Sequence, residues 1–410
     1  MQPFWWDEKK KDRAYILILV FAAGLYFFLA ANYLLHYQPE PLAGDALGYH
    51  NMAIQLLQKG VYGYRSTRSN AYVTPGYPLF LAVIYFLAGV SPEVVRWVQV
   101  LLGTGTVVLV GGIGRRVTDS RTVGAISALG AALYPSFIWA PSVLLTEVLF
   151  NFLFSLYLWI QLRVLSRQDS VAHIVAGALM GMAVLVRPHV APLLVIPYFF
   201  LFLRMRSKRS MFLFLSAIVG FCAVMSPWWI RNLVVLHRWI FLAEGGGNPL
   251  LAGSFPWQVD FTYYIFPQGI DQGELAKARI LWGFVHDFER YFLWYTVGHF
   301  VYTFGQIWMG VSVEQTYLQP LFKLHYLYIL GGFIGWGIAL FRNFSSQIYA
   351  VLFFAGVFLQ LLFLPTYRYA YPWMIFFVVF TSLCALVVAR RVIEPMQELV
   401  GLYRRKISGS

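Results

Sequence analysis

Residues 210–230 read SMFLFLSAIVGFCAVMSPWWI, a stretch without one charged side chain, preceded by Arg204, Arg206, Lys208 and Arg209 and followed by Arg231. At 1.5 Å per residue a helix of that length reaches about 30 Å, the thickness of a bilayer's hydrocarbon core, so the stretch predicts a membrane crossing. Runs of the same kind recur on both sides. They predict ten crossings, at about 14–35, 94–113, 122–140, 147–165, 171–186, 189–203, 210–230, 325–341, 346–364 and 372–389. The composition agrees, since 59% of the 410 residues are hydrophobic and only 12% are charged, against roughly 25% charged in soluble domains. The reading is an all-α polytopic membrane protein, a single domain over residues 1–410 with no separate soluble domain. Ala14–Leu35 is too long for a signal-peptide core and lacks a small-residue cleavage site, which marks it as a retained anchor.

A net charge of +13 would suggest nucleic-acid binding in a soluble protein. Here the basic residues cluster at the ends of apolar runs, where they orient helices and meet lipid headgroups, and no nucleic-acid partner is expected. The clusters are Lys9, Lys10, Lys11 and Arg13; Arg115, Arg116 and Arg121; Arg163 and Arg167; Arg204 to Arg209; Arg342; and Arg390, Arg391, Arg404, Arg405 and Lys406. All fall on one face, which the positive-inside rule makes cytoplasmic together with both termini. A bacterial inner membrane is the default setting. Pro75–Val90 reaches only about 24 Å, and counting it as a crossing would reverse the clusters. It reads as a re-entrant or surface-lying helix on the outer side, and Tyr291–Met309 reads the same way. Irregular backbone at membrane depth survives only where it packs on protein or lines a cavity, so two such elements predict an outer cavity. Two large outer loops follow, about 36–93 and 231–324. Cys222 and Cys384 both lie inside apolar runs, leaving no disulfide framework and no zinc-finger spacing.

Some polar residues are not explained by orientation. Arg187 in Val-Arg-Pro-His, Arg231 in Pro-Trp-Trp-Ile-Arg-Asn and Arg368 in Tyr-Arg-Tyr-Ala-Tyr-Pro stand against apolar runs at the outer boundary. Each could snorkel to the headgroups, or supply paired donors to a phosphate; the tyrosine-flanked Arg368 favours phosphate. Asp45 stands where a helix begins and could cap it, with Gly60 as the C-terminal cap. Glu147 opens a membrane helix, where a carboxylate is costly unless paired or functional. On this topology Asp45, Glu147, Arg187, Arg231 and Arg368 share the outer layer. His50, His189, His237, His286 and His299 are scattered and read as satisfied interfacial residues. No Gly-rich phosphate loop, nucleophile elbow, metal-spaced histidine pair or inverted transporter repeat is present.

Taken in order, the motifs resemble a known family. Asp45 and Tyr49 in the first outer loop are followed by Thr-Pro-Gly-Tyr-Pro (74–78), Thr-Glu (146–147), Arg-Pro (187–188), Pro-Trp-Trp-Ile-Arg-Asn (227–232), Gly-Asn-Pro-Leu-Leu-Ala-Gly (247–253) and Tyr-Arg-Tyr-Ala-Tyr-Pro (367–372). The pattern is similar to the GT-C superfamily of integral-membrane glycosyltransferases, in the branch of protein O-mannosyltransferases and the lipid A aminoarabinose transferase. The resemblance implies inverting transfer of a sugar from a polyprenyl-phosphate carrier to a lipid, glycan or protein acceptor on the extracytoplasmic face. It implies Asp45 as catalytic base and Glu147 as metal or substrate positioner. Arg368, Arg187 and Arg231, with Tyr369, become phosphate ligands, and Tyr49, His50, Tyr77 and Asn248 candidate substrate-positioning residues. Asp45 is followed by Ala46 and Leu47 rather than a second acid, which weighs against a tightly held metal; a divalent ion on Asp45 and Glu147 stays open. The rival from another class is a transporter or flippase of a lipid-linked sugar, which could use the same arginines.

Overall fold

The computed structural model describes residues 8–37, 39, 41–258, 271–310 and 316–408, so parts of the expected second outer loop, 259–270 and 311–315, lie outside it. Among the described residues the chain is helical, with no strand. The α-helices are α1 (Glu8–His36), α2 (Gly44–Lys59), α3 (Gly76–Ala88), α4 (Pro92–Thr118), α5 (Arg121–Leu133), α6 (Pro135–Trp139), α7 (Glu147–Val164), α8 (Ser170–Val186) and α9 (Val195–Met205). They continue as α10 (Lys208–Leu236), α11 (Gly247–Gly253), α12 (Gln272–His286), α13 (Phe288–Leu293), α14 (His299–Phe304), α15 (Lys323–Leu340), α16 (Phe344–Gln360) and α17 (Met374–Ser408).

Seven helical segments are long and apolar enough to cross a bilayer, and α5 with the turn that follows it, bent by 57°, makes an eighth. The bend falls at Tyr134-Pro135, where proline ends one helix and starts the next. Two further expected crossings coincide with α8 and α16, each of 17 residues. At about 25 Å these two fall short of the full core thickness. The segment expected to be re-entrant at 75–90 is α3, of 13 residues, too short to span. The one at 291–309 begins as helix α13, passes through a π-turn at Trp294–Gly298 and ends in α14. The π-turn's Trp294 is fully buried and its indole N–H donates to the Gly253 carbonyl at 2.7 Å.

The core is built on the first turns of α17. From Trp373 to Phe380 every side chain is buried, which an all-apolar helix achieves only inside a bundle. Because lipid is as apolar as leucine, helices in a membrane associate by close packing and need small residues where they touch. Between α8 and α10 the contact is made by Gly177 against the Ala217 carbonyl and Gly220 against the Ile174 carbonyl; a Cβ at either would run into backbone. Gly220→Val is therefore expected to lower the unfolding midpoint in detergent, by about 1–3 kcal/mol of overpacking, whereas Gly337→Ala, where a Cβ meets open space, should leave it unchanged.

The two ends of the bundle differ in charge. At one end Asp12 bonds Arg121 at 2.7 and 3.1 Å and Arg115 at 3.2 Å, and Arg116 reaches Ser166 at 3.3 Å. Helices α7 and α8 then run to the other end, where Glu147 opens the first and Arg187 follows the second. The basic clusters and the candidate site therefore occupy opposite ends.

Candidate active site

Asp45 lies in the first turn of α2, but Ala43 holds the N-cap position and no side chain caps the helix. The capping role open to Asp45 is not the one it takes. Its carboxylate turns inward: Oδ1 accepts from the Tyr64 hydroxyl at 2.7 Å and from Arg65 at 3.4 Å, and Oδ2 accepts from Arg368 Nη1 at 2.9 Å. Tyr64 can approach because residue 48 is glycine; a Cβ there would sit 2.8 Å from its ring. The far end of α2 closes as expected, with Gly60 at φ 65° and its N–H bonded to Leu56, a left-handed conformation that glycine adopts without strain.

Glu147 begins α7 and is 1% exposed. The helix N-terminus favours a carboxylate, and two arginines complete its environment. Arg187 Nη2 and Arg368 Nε both donate to Oε1, and Arg368 Nη2 reaches Oε2 at 3.5 Å. Arg187 precedes Pro188, which disfavours helical backbone at residue 187. Its φ of −138° ends α8, and Arg187 Nε donates to Thr146 Oγ1 at 3.0 Å. Arg368 lies on a 3-10 turn, Tyr367–Trp373, leading into α17. One planar guanidinium thus bridges the two carboxylates, a task that needs the several N–H donors of arginine and not the point charge of lysine.

Asp45, Arg187 and Arg368, with Glu147 behind them, face a cavity of about 320 Å³, lined also by Tyr49, His189 and Tyr369 among others. A second cavity of about 200 Å³, between residues 41–46 and 142–145, also ends on Asp45 and Arg368. The ion pair stands where the two meet. With Arg65, three guanidinium groups face two carboxylates, so the site keeps a positive balance suited to an anion.

Burial alone would raise the Asp45 carboxyl's pKa, but Arg368, the Tyr64 hydroxyl and Arg65 together hold it below the ordinary aspartate range. Burial, followed by the neighbouring Asp45 charge, raises the Tyr64 hydroxyl far above the usual tyrosine value. A depressed folded-state pKa gives stability that is complete above the unfolded value near 3.9 and is lost as pH falls through the folded one. The stability difference between wild type and Asp45→Asn is accordingly expected to stay constant from pH 8 to pH 5. It should shrink only below about pH 4, as thermal unfolding across pH would show.

Asp45, Glu147, Arg187 and Arg368 are thus brought together, with Tyr49 and Tyr369 on the cavity wall. Four other candidates do not line this cavity. Arg231 donates to the carbonyls of Asn70 at 2.9 Å and Tyr62 at 3.0 Å and to the Asn232 side chain, tying the 61–73 loop to α10. Tyr77 bonds Gln99 at 3.0 Å and supports Tyr49 edge-on, with ring centroids 5.3 Å apart. His50 bonds the Tyr85 hydroxyl at 2.7 Å, and Asn248 lies in α11 between Gly247 and the lining residue Pro249. Among the histidines, His189 departs from the satisfied reading, since its buried Nε2 has no partner. Tyr64, Arg65 and Gln360 were not singled out in the sequence, and nothing in their local pattern marks them.

Residues 72–230 match the family model described as dolichyl-phosphate-mannose-protein mannosyltransferase. That window contains Glu147 and Arg187 but neither Asp45 nor Arg368. The comparison with curated protein sequences gave no match. Among solved structures the chain is similar to ArnT from Cupriavidus metallidurans bound to undecaprenyl phosphate, with 15% identity and a TM-score of 0.57 over 94% of this chain and 62% of that one. It is also similar to the oligosaccharyltransferase AglB from Archaeoglobus fulgidus in complex with an inhibitory peptide and a dolichol-phosphate, with 15% identity and a TM-score of 0.56 over 98% of this chain and 52% of that one. The chain thus spans less than two thirds of either relative's length. Its helical architecture is similar in fold to both of these proteins, over almost the whole of this chain.

Proposed function

We propose that this protein moves a sugar from a polyprenyl-phosphate carrier to an acceptor at the extracytoplasmic face of a bacterial inner membrane, with inversion at the anomeric carbon. The observation that carries the reading is Arg368, whose guanidinium joins Asp45 and Glu147 where two cavities meet. A carrier must keep its tail in hydrocarbon and its phosphate at the interface, which is where helix ends bring these charges together. The relatives of like fold were captured with undecaprenyl phosphate and dolichol-phosphate, in support of the same donor type. The positive-inside rule, applied to the arginine-rich opposite end, supports the outer location.

In this reaction Asp45 takes the proton of an acceptor hydroxyl as the acceptor oxygen bonds the anomeric carbon. The bond from that carbon to the phosphate oxygen breaks, and the polyprenyl phosphate leaves with the electron pair, its charge held by Arg368 and Arg187. The donor phosphate competes with the carboxylates for the same N–H groups, so its arrival frees Asp45 Oδ2 for the acceptor. An acceptor that is itself an ionised phosphate needs no proton removed, and Asp45 then orients it.

The donor set does not suit a divalent ion shared by Asp45 and Glu147. The Arg368 guanidinium lies between the two carboxylates, which supports a site bridged by arginine. Turnover is therefore expected to persist at its full rate in EDTA; a loss reversed by added magnesium or manganese would reject the arginine-bridged site. The activity itself is tested with purified protein in detergent and a labelled carrier-linked sugar. Release of polyprenyl phosphate with transfer to an acceptor is the expected result, whereas a flippase gives no product.

A further inference from the structure

The positive-inside rule asks only for charge at a helix end, and the arginines at the basic end of the bundle are not equally occupied. Arg115 and Arg121 share Asp12, Arg204 lies over the Phe344 ring, and Arg209 donates to the Gln168 carbonyl. Arg116, Arg163 and Arg167 pair with no acid among the described residues. Arg116 makes only long contacts, with the Leu162 carbonyl at 3.4 Å and the Ser166 hydroxyl at 3.3 Å. Arg163 lies over Trp159, 3.6 Å from the ring centroid, and stands within charge range of Arg115, Arg116 and Arg167. Asp169 caps α8, accepting from the Val171 N–H at 3.0 Å. Four guanidinium groups thus crowd one place, and the carboxylate bonded to one of them, Asp12, is shared with Arg121.

The surroundings say what kind of anion belongs there. Arg115 and Arg116 close α4 and Arg163 closes α7, two helices long and apolar enough to cross a bilayer. Their guanidinium groups therefore meet the membrane at the depth of its headgroups. Between the two helices runs a shallow apolar seam. Phe152 and Trp159 of α7, both half-buried, rest on Gly105 and Gly112 of α4, where a Cβ would come within 2.8 and 2.6 Å of those side chains. Leu101 and Val108, on the helix face that carries the two glycines, are exposed. A soluble anion has no use for such a seam, and a zwitterionic headgroup brings a cation that the arginines repel. Guanidinium forks match phosphate oxygens, and stacking on Trp159 holds one fork in place. We propose that Arg116, Arg163 and Arg167 bind the headgroup phosphate of an anionic phospholipid whose chains lie along the α4–α7 seam. The lipid's charge offsets the repulsion among the arginines and ties α4 to α7 at the end of the bundle opposite the candidate active site.

The test places the full chain in mixed micelles of phosphatidylglycerol and phosphatidylcholine with the same acyl chains and counts the retained lipids by native mass spectrometry. Wild type is expected to retain phosphatidylglycerol in preference by more than about tenfold. Arg116→Gln and Arg163→Gln should each reduce that preference about tenfold, the worth of a hydrogen bond to a charged group. Arg163→Lys, which keeps the charge without the fork, should lose part of it, and Arg204→Gln, at the same end but over Phe344, none. Melting in phosphatidylcholine alone shows which variants are folded. Equal retention of the two lipids by wild type overturns the site, as does an undiminished preference in both glutamine variants. Displacement of the lipid by inorganic phosphate overturns its identity as a phospholipid site. If a glutamine variant fails to fold, Arg163→Lys decides, and an unchanged preference there rejects the proposal.

Discussion

Asp45→Asn is expected to cut turnover by about 10²–10⁴-fold, the usual worth of a general base, while the carrier lipid binds as well as before or better. Asparagine has the size of aspartate and retains an oxygen that can accept from Tyr64 or Arg368, the two partners that hold Asp45 at 2.7 and 2.9 Å. What it cannot do is take a proton. Removing one negative charge also leaves the arginines more available to phosphate, so the loss should fall on kcat with KM for the donor unchanged or lower. Turnover and lipid binding measured on the same preparation separate this result from unfolding, which would lower both. Activity within tenfold of wild type would remove Asp45 from the chemistry.

The second large effect is expected from Arg368→Met, which keeps much of the apolar stem and deletes the guanidinium. Glu147, 1% exposed, would keep only Arg187 as a charged partner. Breaking a buried ion pair by removing one member costs about 3–5 kcal/mol, because the surviving charge stays desolvated. The variant should therefore unfold at markedly lower temperature in detergent, and carrier binding should fall with it. Adding Glu147→Gln removes the stranded charge and should recover much of the stability but none of the turnover, a non-additivity expected of residues in one network. Arg368→Lys restores the charge without the fork that reaches both carboxylates, and is expected to be stable yet slow. If Arg368→Met unfolds at the wild-type temperature, the bridge does not hold the site together.

The long helical runs were legible because they depend on length and composition, which survive any detail of packing; seven of them, or eight with the bent pair, are long and apolar enough to cross a bilayer. The expected windows at 171–186 and 346–364 coincide with α8 and α16 although both are short, since the basic clusters demanded a reversal there. The short segment at 75–90, read as non-spanning by the same parity, is a helix of 13 residues. The meeting of Asp45, Glu147, Arg187 and Arg368 also followed from topology, as all four are boundary residues on one face. What topology cannot reveal is direction within that layer. Arg231, like Arg187, stands against an apolar run at the same boundary, yet two carbonyls of the 61–73 loop claim it, and the shape of an irregular loop is not written in local periodicity. Gln360 was hidden for another reason: at the end of an apolar run a glutamine looks like an ordinary helix terminus. Only the cavity beside it reveals that it lines the site.

The bridge at Arg368 also bears on how the protein is made. Its two anionic partners precede it by 323 and 221 residues, and Arg187 itself follows Glu147 by 40. A chain emerging from the ribosome in order must present both acids long before their last cation exists. Until Arg368 emerges, Glu147 has only Arg187 as a charged partner, so the insertion of α17 is expected to complete the charge network in one step. Forms ending before residue 368 would lack the group that joins the two acids.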